Sequence, residues 1–129
     1  MLNNTGIKKE SAISPEQILA DTALQHAVSA RLANTGVEAV NGKKIIKAGT
    51  PVHGDTMQPN SAYTVATTGE GKSNATGVLV HDVDVTEGEA NGSVLIFGFV
   101  DTKLVHSAVK ALYTSEVVSA LKGCVTFLG

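Results

Sequence analysis

The apolar positions of the chain fall into two textures. From Ile18 to Leu32 they recur at near-helical spacing, as Ile18, Leu24, Val28 and Leu32 with Ala27 beside them. Glu16, Asp21, Gln25 and Arg31 fall on the opposite, polar side. The start signals are clear: Ser14 as N-cap, Pro15 at the first helical position, Gln17 to complete a capping box. Ile13 and Ile18 flank the cap as a hydrophobic staple. Asn34-Thr35-Gly36 is a stop, with Gly36 available for a left-handed cap. The pattern predicts a helix over 14–35. Its stripe is thin, so the helix needs something outside itself to pack on. Residues 1–13 read as a flexible arm. Up to Ser11 they are polar, contain Gly6, and offer only Leu2 and Ile7 as apolar points.

After Gly36 the pattern turns to short β-type runs. Asn41-Gly42 is a hairpin-type turn. Lys44-Ile45-Ile46 and Pro51-Val52-His53 flank a tight Ala48-Gly49-Thr50, and Tyr63-Thr64-Val65 is another short run. Thr67 to Asn74 reads as a Gly, Ser and Thr loop. Gly77–Val85 and Ser93–Val100 are the strongest strands, joined by turn chemistry from Glu87 to Gly92. In the first, Leu79, His81, Val83 and Val85 share one side, and Val78, Val80, Asp82 and Asp84 the other. The second is apolar on both faces at Val94-Leu95-Ile96-Phe97, as a covered central strand is. Asp101 caps a short turn through Leu104. Thr114 caps a short helix ending at Lys122, and Val125–Leu128 is a last strand.

The chain has 129 residues, 43% hydrophobic and 17% charged, which suits one globular domain. Aromatics are scarce and Trp is absent, so the core rests on Val, Leu, Ile and Ala. The expected core includes Ile46, Val52, Val78, Val80, Leu95, Phe97, Leu121 and Phe127. Net charge is −2: residues 1–47 carry six basic against four acidic groups, and residues 48–129 four against eight. Neither part has the dense basic stripe of a nucleic-acid binder. The single Cys124 forms no intrachain disulfide and reads as a buried small hydrophobe. The first ten residues lack a signal core, and no apolar run is long enough to span a membrane.

Little in the chain points to chemistry. Asp82 and Asp84 project from one face of a strand and could share a cation, with His53 or Glu87 completing the shell. The plainer reading is a solvated strand end, since neither calcium-loop nor zinc spacing is present. Ser73 or Ser93 with His81 and an Asp makes a triad only on paper, because no Gly-x-Ser-x-Gly elbow exists. Gly69-Glu70-Gly71-Lys72-Ser73 lacks phosphate-loop spacing and reads as a surface loop. His26, placed mid-helix, and His106, near a chain bend, read as surface or packing residues. Residue patterns alone therefore stop at a β-rich α+β domain with no visible catalytic centre and no implied cofactor or metal.

Three segments carry a resemblance. Lys47-Ala48-Gly49-Thr50-Pro51-Val52 looks like an opening strand with an Ala-Gly-Thr turn. Ala75 to Thr86 is a Gly-led apolar strand ending in Asp-x-Asp. Ser93 to Asp101 is an apolar strand with a Gly-x-Val-Asp exit. In this order and spacing they resemble the lambda-type head decoration proteins of tailed phages, over a little under half the chain. The ending from Ala120 to Phe127 also looks like phage head fibre or head decoration proteins.

The resemblance implies a small β-rich decoration domain over 36–129, preceded by the arm and helix. It implies a non-enzymatic virion protein, made late in the bacterial host cytoplasm. Such a protein binds the major capsid protein lattice on the outside of an expanded head, typically as a homotrimer, and braces the shell. It implies no direct contact with nucleic acid or membrane. In this family an N-terminal arm usually meets the shell; here that arm offers Leu2, Asn4, Thr5, Ile7, Lys8 and Lys9. The longer start departs from the compact family members and leaves open whether arm or helix docks. One alternative is the base or attachment domain of a head fibre or spike, although no repeat or heptad is visible. Another is a small metal-dependent enzyme using His81, Asp82 and Asp84.

Overall fold

In the computed structural model, residues 18–19, 25–55 and 62–129 are described. The expected arm at 1–13 and the helix start at 14–17 lie outside them, as do residues 20–24. In chain order the elements are β1 (His26–Leu32), β2 (Ile45–Ile46), β3 (Pro51–His53), β4 (Thr64–Val65), β5 (Thr68–Gly69) and β6 (Lys72–Ser73). There follow β7 (Gly77–Leu79), β8 (Val83–Asp84), β9 (Ala90–Asp101), a 3-10 turn at Thr102–Leu104, α1 (Ser107–Lys110), α2 (Ser115–Ala120) and β10 (Val125–Leu128). The described residues are thus strand-rich with two short helices.

The main sheet runs β1-β9-β7-β3-β4, with β10 also on β9. Neighbours along that path are antiparallel, whereas β10 runs parallel to β9. A parallel pair needs a crossover, and the 102–124 segment with both helices supplies it. The helices start where the sequence places caps. Thr114 Oγ1 accepts from Val117 N at the head of α2, and Asp101 accepts from Lys103 N at the 3-10 turn. The helix expected to end at Lys122 stops at Ala120 and continues as turn to Cys124.

One expectation is overturned. Residues 26–32, assigned above to a helix over 14–35, form strand β1, paired in register from Ala27↔Leu95 to Leu32↔Ala90. Positions 28 and 32 satisfy both periods, because a four-residue helical step is also two β steps. With Ala30 they make a β face: Leu32 is buried in one core cluster, and Val28 and Ala30 pack against it. Pairing with the long β9 gives this thin stripe a partner that an isolated helix lacks. The sheet domain therefore begins before residue 36, and Asn34 to Gly36 is a turn between strands, with Val37 N donating to Asn34 O.

Alternation splits the core into two clusters on opposite faces of the sheet. Val78, Val80, Leu95 and Val100 join Ile18, Leu121 and Val125 in the first. Leu79, Val83, Val85 and Val94 join Leu32, Ile46 and Val52 in the second. Central β7 and β9 are thus covered on both faces. The expected strand Gly77–Val85 is two strands, β7 and β8, separated by a bend at His81. Burying a leucine such as Leu79 or Leu95 contributes about 1.5–3 kcal/mol.

Two side-chain expectations also fail. Phe97 is 49% exposed rather than core. The register steps from Ala27↔Leu95 to His26↔Phe97, so β9 carries one extra residue there. This bulge resets the alternation. Ile96 packs against the second cluster, a Cβ at Gly98 would meet the Leu95 side chain, and Val100 lies in the first cluster. Phe97 and Phe99 are left on the other face. Cys124 is exposed, because the turn after α2 precedes β10 rather than being part of it. Phe127 is partly buried, packed on the Tyr113 ring at 4.4 Å.

The Ala48-Gly49 turn brings the layers together. Gly49 has φ +93, and a Cβ there would come 2.7 Å from the Tyr113 hydroxyl. Gly36 also has positive φ (+77) but open space around it. Gly49→Ala should therefore cost at least about 1 kcal/mol more than Gly36→Ala, the backbone strain being shared and the overpacking not. Urea midpoints of the two variants check this; equal losses would remove the close-approach account.

Candidate functional site

The polar cluster singled out in the sequence, His81 to Asp84, is a structural joint. Asp82 Oδ1 accepts from Ala48 N at 2.7 Å. Gly49 N donates to Leu79 O at 2.7 Å, and Leu79 N donates to Thr50 O at 3.0 Å. Thr50, a buried polar residue, donates its hydroxyl to Lys47 O. The Tyr113 hydroxyl closes the far side by donating to Gly49 O at 2.7 Å. Burial raises the pKa of that phenol well above its usual value, which keeps it a neutral donor. A single turn is thus tied to β7, to the Asp82 carboxylate and to the residue between the helices.

Asp84 is engaged in the same manner. Its Oδ1 accepts from both the backbone N and the hydroxyl of Thr86. The Thr86 hydroxyl, then the Thr86 amide, hold the carboxyl below its ordinary pKa, with Lys43 a smaller contribution. Asp84 therefore stays ionised at neutral pH and is unsuited to donating a proton. Thr86 Oγ1 in turn accepts from Lys44 N, which locks the β2–β8 ladder. Among the described residues no three His, Cys, Asp or Glu side chains form a metal-ligating group.

The other candidates disperse. His53 hydrogen-bonds Asn74 O at 2.8 Å, and His106 caps α1 through Nδ1. His26 lies on β1 opposite Phe97 rather than in a helix. The Gly69–Ser73 segment is a β5–β6 hairpin, turned at Glu70 and Gly71 with φ +54 and +77, rather than an irregular loop. Leu2, Asn4, Thr5, Ile7, Lys8 and Lys9 lie outside the described residues.

What the fold leaves open is apolar surface. A groove of about 350 Å³ runs between β2 and α1, where Ile45 and Leu112 are 39% and 43% exposed. Leu112 and Val65 also line the neighbouring recess beside Ala111 and Val117. A second apolar surface lies on β9 and β10 at Phe97 and Leu128. A third recess, of about 470 Å³ and mixed polar and apolar lining, lies over Ser29, Arg31, Asn91 and Ser93 on the β1–β9 pair. Arg31 there pairs with Glu89 at 3.0 Å, an exposed contact worth little. Sequence reasoning missed the Ile45–Leu112 groove, because its walls come from residues far apart in the chain. Exposed apolar patches of this kind are typical of protein-contact surfaces.

No protein-family model matches this chain, and no curated protein matches it. Among the described residues no helix is long and apolar enough to cross a membrane.

The engagement of Asp84 has a pH signature. A carboxyl whose folded pKa is lowered contributes stability above its unfolded value, and that contribution is lost as pH falls through the folded one. The difference in urea midpoint between the native chain and Asp84→Asn should be largest near neutral pH and narrow below about pH 4. A gap that stays constant across the titration would remove the Thr86 assignment.

Proposed function

We propose that this is a capsid decoration protein, a structural subunit that binds the outer surface of an expanded tailed-phage head and stabilises it. One spatial observation carries the reading. The three segments that resemble the decoration family, Lys47–Val52, Ala75–Thr86 and Ser93–Asp101, are adjacent in space. They contribute β3, β7 and β9, which are neighbours in that order in one sheet. The Ala-Gly-Thr turn of the first is held by Asp82 and Leu79 of the second, and Val80 of the second donates to Ser93 O of the third. Segments whose order is meaningful only as a set thus form one packed unit.

The rest of the proposal follows from the resemblance. The subunit acts as a homotrimer on the major capsid protein lattice, with residues 1–13 as the shell-binding arm. An arm that orders on contact, repeated through a trimer, gains avidity from the periodic surface. Solvent-exposed apolar positions on a small strand-rich body are in keeping with a protein that works through contacts.

Co-sedimentation with expanded, undecorated heads of the source phage tests this. Saturable binding near a whole-number ratio per capsomer is expected, as is a rise in the temperature at which heads rupture. Absence of binding to every maturation state of the head would overturn it. Deleting residues 2–13 should weaken binding at least about tenfold, about 1.4 kcal/mol, with the thermal unfolding of the body unchanged. Unaltered affinity in that variant would move docking to the body alone.

A further inference from the structure

The bulge in β9 creates a feature that the core does not use. Downstream of it, the strand presents one face to the first core cluster through Gly98 and Val100. The partner strand does the same: Phe127, opposite Val100, packs against that cluster, and Val125, opposite Gly98, is buried in it. Paired parallel neighbours share a face. The outward face is therefore Phe97, Phe99, its partner Thr126, and Leu128 at the end of β10. Phe97 is 49% and Leu128 44% exposed, Phe99 is half-buried, and Thr126 is exposed. The chain has three phenylalanines and no tryptophan, so two of its three Phe side chains stand on this ledge. Single exposed apolar residues are ordinary; an aromatic pair with a leucine on one sheet face is the composition of an interface centre.

The end of the described chain indicates what meets it. Ile18 O accepts from Asp101 N at 2.8 Å, and Leu19 bridges Val100. The first described residue, Ile18, is therefore held at the same end of β9 that carries the ledge. A tether anchored there brings its binding partner to that end first. We propose that the Phe97–Phe99–Leu128 ledge is a second capsid-contacting surface, which seats on an apolar patch of the major capsid protein lattice while the arm engages alongside. This inference rests on the decoration reading. The Ile45–Leu112 groove has no such connection to the arm root, and serves as the comparison.

The test uses the full chain and undecorated expanded heads. Phe97→Ser/Leu128→Ser removes apolar side chains that are half exposed. Thr126→Arg adds bulk and charge in the middle of the ledge and takes nothing from the core, so it holds the test if the double variant unfolds. Leu112→Ser alters the comparison groove. Circular dichroism melts verify folding of each. The expected result is saturable binding by the native chain, at least about tenfold weaker binding by both ledge variants, and near-native binding by Leu112→Ser. Native-like binding by Thr126→Arg, or by a folded double variant, overturns the ledge while the decoration reading stands. Equal weakening by Leu112→Ser overturns the assignment to this face. Failure of the native chain to bind any head overturns both.

Discussion

A twelve-residue strand through the middle of the sheet must satisfy the backbone N–H and C=O groups along both its edges, and β9 does so with several partners. Its first half lies between β1 and β7, and its second half pairs with β10 while Leu19 bridges Val100 and Ile18 accepts from Asp101. The bulge at Ile96–Phe97 falls between these two regimes. Everything else in the domain is arranged around this division of one strand. The two core clusters are its two faces, and the helices are the crossover that brings β10 back parallel to it.

The Ala48-Gly49 turn is the second constraint, and it works by connection rather than by area. It receives a carboxylate from after β7, exchanges backbone bonds with β7, and accepts a phenol from beyond α1. Only glycine fits at Gly49, for backbone angle and for space. The acidic His81–Asp84 segment, which reads from the sequence as a solvated strand end with a shared cation as the alternative, has this structural role: its carboxylates end turns and start ladders. The proposed contact surfaces lie elsewhere, on exposed apolar positions of the same body.

Much of the interior was legible because its signals are local. Thr114 with Gly123 marks the α2 region, Asn41-Gly42 supplies the φ > 0 pair of a tight hairpin, and the apolar run at Val94–Ile96 marks a strand with core on both sides. The misreadings have a common origin in long-range pairing. Val28 and Leu32 fit a helix as well as a strand, and only the presence of β9 decides between them. Phe97 lies in an apolar run whose facing is set by a bulge, which no single strand can announce. Cys124 is apolar among apolar neighbours, yet sits in a turn. At the candidate site, the Ile45–Leu112 groove joins positions with no sequence relation, while the expected arm residues lie outside the described ones.

The same architecture governs how the chain reaches its fold. Leu32 pairs with Ala90, Ile45 with Asp84, and Val52 with Gly77. Among the described strand pairings, only the β5–β6 hairpin and the Val40–Lys43 bridge close over a few residues. A sheet assembled from such distant partners must lose loop entropy before most of its contacts form, which places folding on the scale of about milliseconds to seconds. During that interval β9 has two unsatisfied edges and an apolar face on each side. Newly made chains at high concentration are thus most prone to aggregation before β1 and β10 dock, and slow, dilute refolding is the regime that favours the native sheet.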